Sequence, residues 1–245
     1  MRQMGSPVGT VRALYRYMVK STAGEALAAV EVTRRGLRDD RRWAVYTNDG
    51  GIASGKRTRR FRPVPGLMQW SSSTAEDGVP LLTGPDGRSY RADEPAASTA
   101  LSSALGRELR VQPETTVQHH DETPLHLLTT SSLAALDDLT GAQVDERRFR
   151  ANIIIDTGPE RVFTEDAWIG AELALGPEVL LQLGPGMPRC VMVDQPQAGV
   201  DAGAKALKVL GAHHRAELGL QAHVLRTGML RAGDPVTLHL RSGAA

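Results

Sequence analysis

The 245-residue chain has one cysteine, Cys190, which excludes an intramolecular disulfide and suits a reducing compartment. Aromatic residues make up only 4%, so a core has to be built from Leu, Val, Ile and Ala. No apolar run reaches the ~18–20 residues of a membrane span, and Arg2, Arg12 and Arg16 interrupt the N-terminus where a signal peptide needs an apolar stretch. These absences point to a cytoplasmic protein with no membrane partner. His-Glu-x-x-His, Cys-x-x-Cys, Gly-x-Ser-x-Gly, the P-loop and Gly-x-Gly-x-x-Gly are also missing, which leaves zinc protease, hydrolase, nucleotidase and Rossmann readings without support. Net charge is close to zero, with 29 basic against 28 acidic residues, and this argues against nucleic acid as a partner.

The residues that are abundant favour turns. Twenty-five Gly and 14 Pro point to many short strands rather than long helices. The segment Val8 to Val19 is β-like, and Ala28 to Thr33 reads as a strand that ends at Arg35-Gly36. Trp43 to Tyr46 runs into Asn48-Asp49-Gly50-Gly51, residues that tolerate the positive φ of a hairpin. Val79 to Thr83 and Ser89 to Arg91 flank Pro85-Asp86-Gly87, so the polar stretch 71–99 reads as a hairpin with loops. A helix is expected to open near Ser131 or Ser132 and stop at Gly141, with Leu133, Leu136 and Leu139 at helical spacing. Ile153 to Ile155 and Val179 to Leu183 read as buried strands, the second ending at the Gly184-Pro185-Gly186 turn. Asp201 to Leu210 is a candidate short helix ended by Gly211, and strands near Ala222–Leu225 and Val236–Leu240 close a chain that is mainly β with a few helices, a barrel-like α+β fold.

Charge is uneven along the chain. Arg34 to Arg62 holds ten basic residues against three acidic ones, which suits an anionic ligand, although alternating arginines also solvate the outer face of a strand. The pairs His119-His120 and His213-His214 fit solvated turns better than a metal site, because adjacent strand residues point to opposite faces. Cys190 follows a Gly/Pro-rich loop. Beside Val191, Met192 and Val193 it reads as a small buried hydrophobe, whereas Arg189 next to it would favour the thiolate that binds soft metals.

Five motifs in order turn that balance. Val11 to Ser21, Asp40-Arg41-Arg42-Trp43, Leu127 to Leu133, Phe149-Arg150-Ala151-Asn152 followed by Glu165 to Gly170, and Pro188-Arg189-Cys190 resemble the MOSC family, named for the molybdenum cofactor sulfurase C-terminal domain and including the amidoxime-reducing components. Gly233 to Val236 is similar to the family's closing strand. The resemblance implies a MOSC-type β-barrel core over residues 101–241 and a smaller N-terminal β-barrel-like domain over 8–100, packed as one unit. It also implies a molybdenum cofactor whose metal is held by a pterin dithiolene and by the Cys190 thiolate. Lys20, Ser21, Arg41, Arg150 and Arg189 would hold its anionic group, Thr129 or Ser132 would donate from a helix start, and Asn152 would order the site.

The activity so implied is reduction of N-hydroxylated or other N-oxygenated small substrates, with Cys190 as metal ligand and catalytic residue. Electrons would come from a separate ferredoxin- or cytochrome-like donor with its reductase, because the chain leaves no room for an iron–sulfur domain. A carrier of the cofactor, or of sulfur on Cys190, is the alternative, and a barrel without cofactor is a third reading. No desulfurase domain is present, so pyridoxal phosphate is not expected. The chain departs from the family at Met18 and Ala151, where relatives carry Pro, and in the loop Val191 to Pro196.

Overall fold

The computed structural model describes residues 5–200 and 205–240. Seven strands close a barrel in the order Ile153–Asp156, Leu125–Thr129, Glu217–Arg226, Val179–Pro188, Glu172–Leu175, Pro235–His239 and Ser6–Arg16, the last pairing back to the first. All these pairs are antiparallel except Leu125–Thr129 with Ile153–Asp156. A parallel pair needs a crossover, and helix packing on the barrel supplies it. The described α-helices are α1 (Pro95–Leu105), α2 (Thr130–Thr140) and α3 (Ala206–His213), and α2 is that crossover.

The run Ile153-Ile154-Ile155 is continuously apolar because both of its faces are covered. Ile153 and Ile155 point into the barrel with Leu127, Leu173, Leu181 and Leu220, whereas Ile154 and Leu128 point outward under α2 and α3, against Leu136 and Leu210. A three-stranded sheet of Ala29–Thr33, Gly36–Leu37 and Gly228–Arg231 adds Val30, Val32, Leu37 and Leu230 to the inner core. The remaining N-terminal residues form a four-stranded and a three-stranded sheet around a second core that contains Leu67, Trp70, Leu82, Leu101 and Leu109.

The fold is mainly β with a closed barrel and added small sheets, as expected, but several boundaries differ. Ser6–Arg16 is a stave of the barrel itself, lying between Pro235–His239 and Ile153–Asp156. Residues 100 and 101 both fall within α1, and Leu109–Pro113 pairs with Trp43–Thr47. This helix was not foreseen: it is Ser- and Ala-rich and buries only Ala97 and Leu101, so its apolar stripe is thin, although Pro at its start and left-handed Gly106 at its end mark it. Gly184-Pro185-Gly186 does not end its strand. It lies within Val179–Pro188 as irregularities in the pairing to Glu217–Arg226, where Pro costs no ladder bond. Helix α2 starts at Thr130 with Thr129 as its cap, one residue earlier than expected, and does stop at Gly141. Gly211 does not end α3, which continues to His213, while Asp201 to Ala204 lie outside the described residues. Among the described residues no helix is long and apolar enough to cross a membrane.

Candidate functional site

A cleft of about 190 Å³ opens between the barrel rim and the N-terminal sheets. Its walls bring together Lys20, Ser21, Arg41, Arg150, Asn152, Arg189 and Cys190, residues drawn from opposite ends of the sequence. Lys56 and Arg148 add two more cations, against Asp121 and Glu122. A larger surface groove, about 1150 Å³ beside α2 and α3, contains none of the site residues expected from sequence.

Backbone geometry marks the same residues. Ser21, Arg41 and Arg150 have φ of 68°, 53° and 54°, three of the six non-glycine left-handed residues among those described. Each such conformation costs about 1–3 kcal/mol and persists only where its surroundings over-determine it. Here Lys20 N donates to Trp43 O at 2.8 Å, Arg41 N to Tyr17 O at 2.9 Å and Trp43 N to Met18 O at 3.0 Å, so the chains 17–20 and 41–43 clasp each other. Arg150 ends the short turn Glu146–Phe149, its amide donating to Arg147 O.

Buried Asp40 fixes the cation cluster. It accepts the Tyr17 amide at 2.8 Å and pairs with the Arg41 guanidinium, and His120 Nε2 lies 3.5 Å away. Burial alone would raise this carboxyl, but Arg41 and His120 outweigh it and hold Asp40 far below the ordinary carboxylate range. The His119-His120 pair is therefore not a solvated turn. His119 is fully buried, with Nε2 2.8 Å from the Tyr46 hydroxyl and Nδ1 3.1 Å from Arg41 O, which supports Arg41 from behind. Tyr17 lies beneath Arg150 and Arg41, its ring 4.3 Å and 5.1 Å from their guanidinium carbons, and burial keeps its phenol neutral by raising its pKa.

The cleft has donors to spare. Ser21 Oγ and Arg150 Nη2 are buried without a hydrogen-bond partner, although Arg150 Nη1 donates to Thr22 O at 2.7 Å. Burial depresses Lys20 to about 7, opposed by Asp121 and reinforced by Arg41 and Arg150, and its Nζ lies 4.7 Å from the Phe61 ring centre. Lys56 pairs with Asp121 at the rim. A buried set of cations and unpaired donors costs free energy as it stands and matches an anion with several acceptor oxygens.

Cys190 lines the same cleft, half-buried, at the start of the short turn Val191–Asp194. Arg189 secures the segment: its amide donates to Ala216 O at 2.7 Å and Nη1 donates to Phe149 O at 2.9 Å. Burial pushes the Arg189 guanidinium down to about 10, with Cys190 acting against that. Asn152 orders the floor, its Oδ1 accepting from the His126 amide and its Nδ2 donating to Tyr15 O. Among the described residues no group of three or more His, Cys, Asp or Glu side chains converges, so any metal here would have Cys190 as its one protein thiolate.

Thr129 and Ser132 are not brought to the cleft. His126 lines it at one end of the strand Leu125–Thr129, and three residues at ~3.3 Å each carry Thr129 about 10 Å away, to the other end of the barrel. There the Thr129 and Ser132 hydroxyls both donate to buried Glu165. Lys56, Asp121, His126 and Arg148 were missed, because tertiary packing rather than any local pattern delivers them: Lys56 and Asp121 lie in loops, Arg148 in the short turn Glu146–Phe149 and His126 in the strand Leu125–Thr129. The exception is Lys56, which was visible only as one of ten cations in the basic stretch.

Comparison with known proteins follows the same outline. A family model described as "MOSC domain" matches residues 114–237, about half of the chain, and one described as "MOSC N-terminal beta barrel domain" matches residues 8–122. The chain is 27% identical to mitochondrial amidoxime reducing component 2 of Bos taurus, over 94% of this chain and 83% of that protein. It is 24% identical to mitochondrial amidoxime-reducing component 1 of Homo sapiens, over 97% and 85%. The crystal structure of the YUAD protein from Bacillus subtilis has a similar fold, with a TM-score of 0.52 at 12% identity, covering 96% of this chain and 98% of that one.

Proposed function

This chain belongs to the MOSC domain family, and from that premise we propose that it is a molybdenum-cofactor oxidoreductase that removes oxygen from N-hydroxylated or other N-oxygenated small substrates. The observation that carries the reading is the pairing of one accessible thiol, Cys190, with a cluster of cations in which Ser21 Oγ and Arg150 Nη2 have no partner. That donor set fits the anionic end of a pterin cofactor, and the thiol fits a sulfur-bound metal.

In this reading Lys20, Ser21 and Arg150 donate to the anionic group, while Arg41, anchored by Asp40, neutralises charge beside them. Tyr17 keeps the two guanidinium planes in place from below. Arg189 holds the Cys190 segment to Phe149 O, and Asn152 fixes the floor. The cofactor, when bound, supplies the oxygen-atom acceptor and the two-electron redox chemistry that no side chain provides. A separate electron-transfer protein renews the electrons, and a reducing, cytoplasmic setting keeps the free thiol available.

The test is the molybdenum and pterin content of protein purified without oxygen from a molybdate-supplied host, followed by reduction of an N-hydroxylated amidine with a chemical electron donor. Wild type is expected to hold both in stoichiometric amount and to turn over. Cys190→Ser is expected to fold and show no turnover. Absence of molybdenum from wild type, or full activity in Cys190→Ser, overturns the proposal. Rapid loss of cofactor to an apo-enzyme without turnover identifies a carrier instead.

A further inference from the structure

The chain immediately after α3 is strained in a way that its own turn does not require. Arg215 and Ala216 are consecutive left-handed residues, φ 51° and 55°, and neither is glycine. His214 N and Ala216 N both donate to Leu210 O, at 2.7 and 2.9 Å, and Glu217 N returns to His214 O at 2.8 Å. The conformation turns the Ala216 carbonyl toward the neighbouring strand. There it accepts the Arg189 amide at 2.7 Å, one residue before Cys190, directly after Pro188 has paired with Glu217. On the other side of the thiol, Cys190 O accepts the Val193 amide at 3.1 Å. The Ala216 carbonyl is thus the barrel's grip on the thiol segment.

The strained turn is held by the His214 ring, which is nearly buried and stacked on Phe163 at 3.7 Å and 16°. Nδ1 lies 2.8 Å from Glu217 O and Nε2 lies 2.7 Å from Asp166 Oδ2. The ring is thus tied at both nitrogens, to a backbone carbonyl of the turn on one side and to a carboxylate on the other. Asp166 lies in the turn Thr164–Trp168, its amide donating to Phe163 O at 3.2 Å, next to Glu165, which accepts from Thr129 and Ser132 at the start of α2.

We infer that His214, gripped by Asp166, is a positioning residue for Cys190: it locks the left-handed Arg215-Ala216 turn whose carbonyl sets where the thiol stands. The inference rests on Cys190 being the metal's protein ligand, yet its first readout does not need the metal. Cys190 is the only cysteine in the chain, so a thiol reagent reports on that residue alone.

The experiment measures the rate of Cys190 reaction with dithionitrobenzoate across a pH series in the full-length cofactor-free chain, and the molybdenum electron-spin signal of the loaded protein. His214→Ala is expected to change the thiol rate by roughly tenfold or more and to alter the metal signal, since displacements near 1 Å at a reacting group have effects of that order or larger. Asp166→Asn, which keeps an acceptor for Nε2, is expected to move both readouts in the same direction by less. Leu101→Ala, in the separate N-terminal core, is expected to lower stability and move neither. The inference fails if His214→Ala unfolds cooperatively and reacts within about twofold of wild type, or if Leu101→Ala shifts the rate as much. If His214→Ala does not fold, Asp166→Asn decides by the same criterion. A wild type without molybdenum would sink the proposed function and leave the thiol result standing, whereas a wild-type thiol rate in the cofactor-free His214→Ala chain together with an unaltered metal signal in the loaded variant would sink this inference alone.

Discussion

The two ends of the strand Leu125–Thr129 each carry a buried polar cluster, and the clusters differ in what they leave unsatisfied. At the Thr129 end, hydroxyls and one carboxyl bond to one another and the atom left over is an acceptor: Thr129 and Ser132 donate to Glu165 Oε2, Ser131 donates to Thr164 and Thr157 donates to Ser131, while Glu165 Oε1 has no partner. At the His126 end, cations outnumber carboxylates and two donors of the cleft wall are left unpaired. Polar density alone therefore does not identify a ligand site; surplus charge and idle donors do. The same contrast separates structural from binding hydroxyls, because Ser132 and Ser21 are equally buried and only Ser132 has its hydroxyl partner inside the protein.

The strongest way to break this contrast is Arg150→Met. Loss of charge-assisted bonds is expected to weaken sulfate binding at the cleft by roughly 10- to 100-fold by calorimetry, while Thr129→Val leaves it unchanged. Equal effects from the two variants would erase the distinction.

Next in size is pH. Lys20 is charged below about 7 and neutral above it, so sulfate affinity should fall up to about tenfold from pH 6 to pH 8, and Lys20→Met should flatten the profile. The stability signs at the two ends also oppose each other. The Lys20 pKa is lowered by folding, so between about 7 and its ordinary 10.5 the unfolded chain holds the extra proton and stability rises with pH. The Glu165 pKa is raised by burial, so its contribution is complete below its ordinary 4.5 and is lost as pH climbs through the folded value. Urea unfolding across pH in Lys20→Met and Glu165→Gln reads the two slopes separately.

Smaller effects sharpen the comparison further. Asp121→Asn removes the carboxylate that competes for Lys56 and Lys20, and at a pH low enough to keep Lys20 charged sulfate should bind about two- to threefold more tightly, while the fall in affinity with pH should begin earlier because Asp121 no longer holds the Lys20 pKa up. Glu165→Gln keeps an acceptor for Thr129 and Ser132 and should shift the melting temperature at pH 7 by no more than about 4 °C, with sulfate binding untouched.

The sequence motifs marked the chemistry of the cleft better than its architecture. Lys20, Ser21, Arg41, Arg150, Asn152, Arg189 and Cys190 were legible because each lies in a short contiguous motif, and the structure gathers them on one cleft. Thr129 and Ser132 face away from the cleft for a physical reason: a hydroxyl at a helix start seeks an acceptor, and here the acceptor is the carboxyl of the chain's own Glu165. Asp121 and His126 were illegible because only the tertiary fold puts the loop residue Asp121 beside Lys56 and Lys20 and the strand residue His126 beside Asn152. Strands with β-branched runs such as Ile153-Ile154-Ile155 were found, whereas α1, with two buried residues, gave too thin a stripe.

The stave Ser6–Arg16 is hydrogen-bonded on one side to Pro235–His239 and on the other to Ile153–Asp156. Glu25–Leu27 pairs with its Leu14–Arg16 end at once, but its barrel neighbour Pro235–His239 lies at the far end of the described fold. The N-terminal sheets, whose pairings end at Pro113, are free to form while the barrel stands open. Closure joins residues more than 200 positions apart, so it comes late and costs loop entropy. The clasp that holds Lys20 and Arg41 joins residues about 25 positions apart, whereas the barrel that carries Cys190 closes over the longest sequence separation in the fold, so one half of the cleft is local in the chain and the other is not.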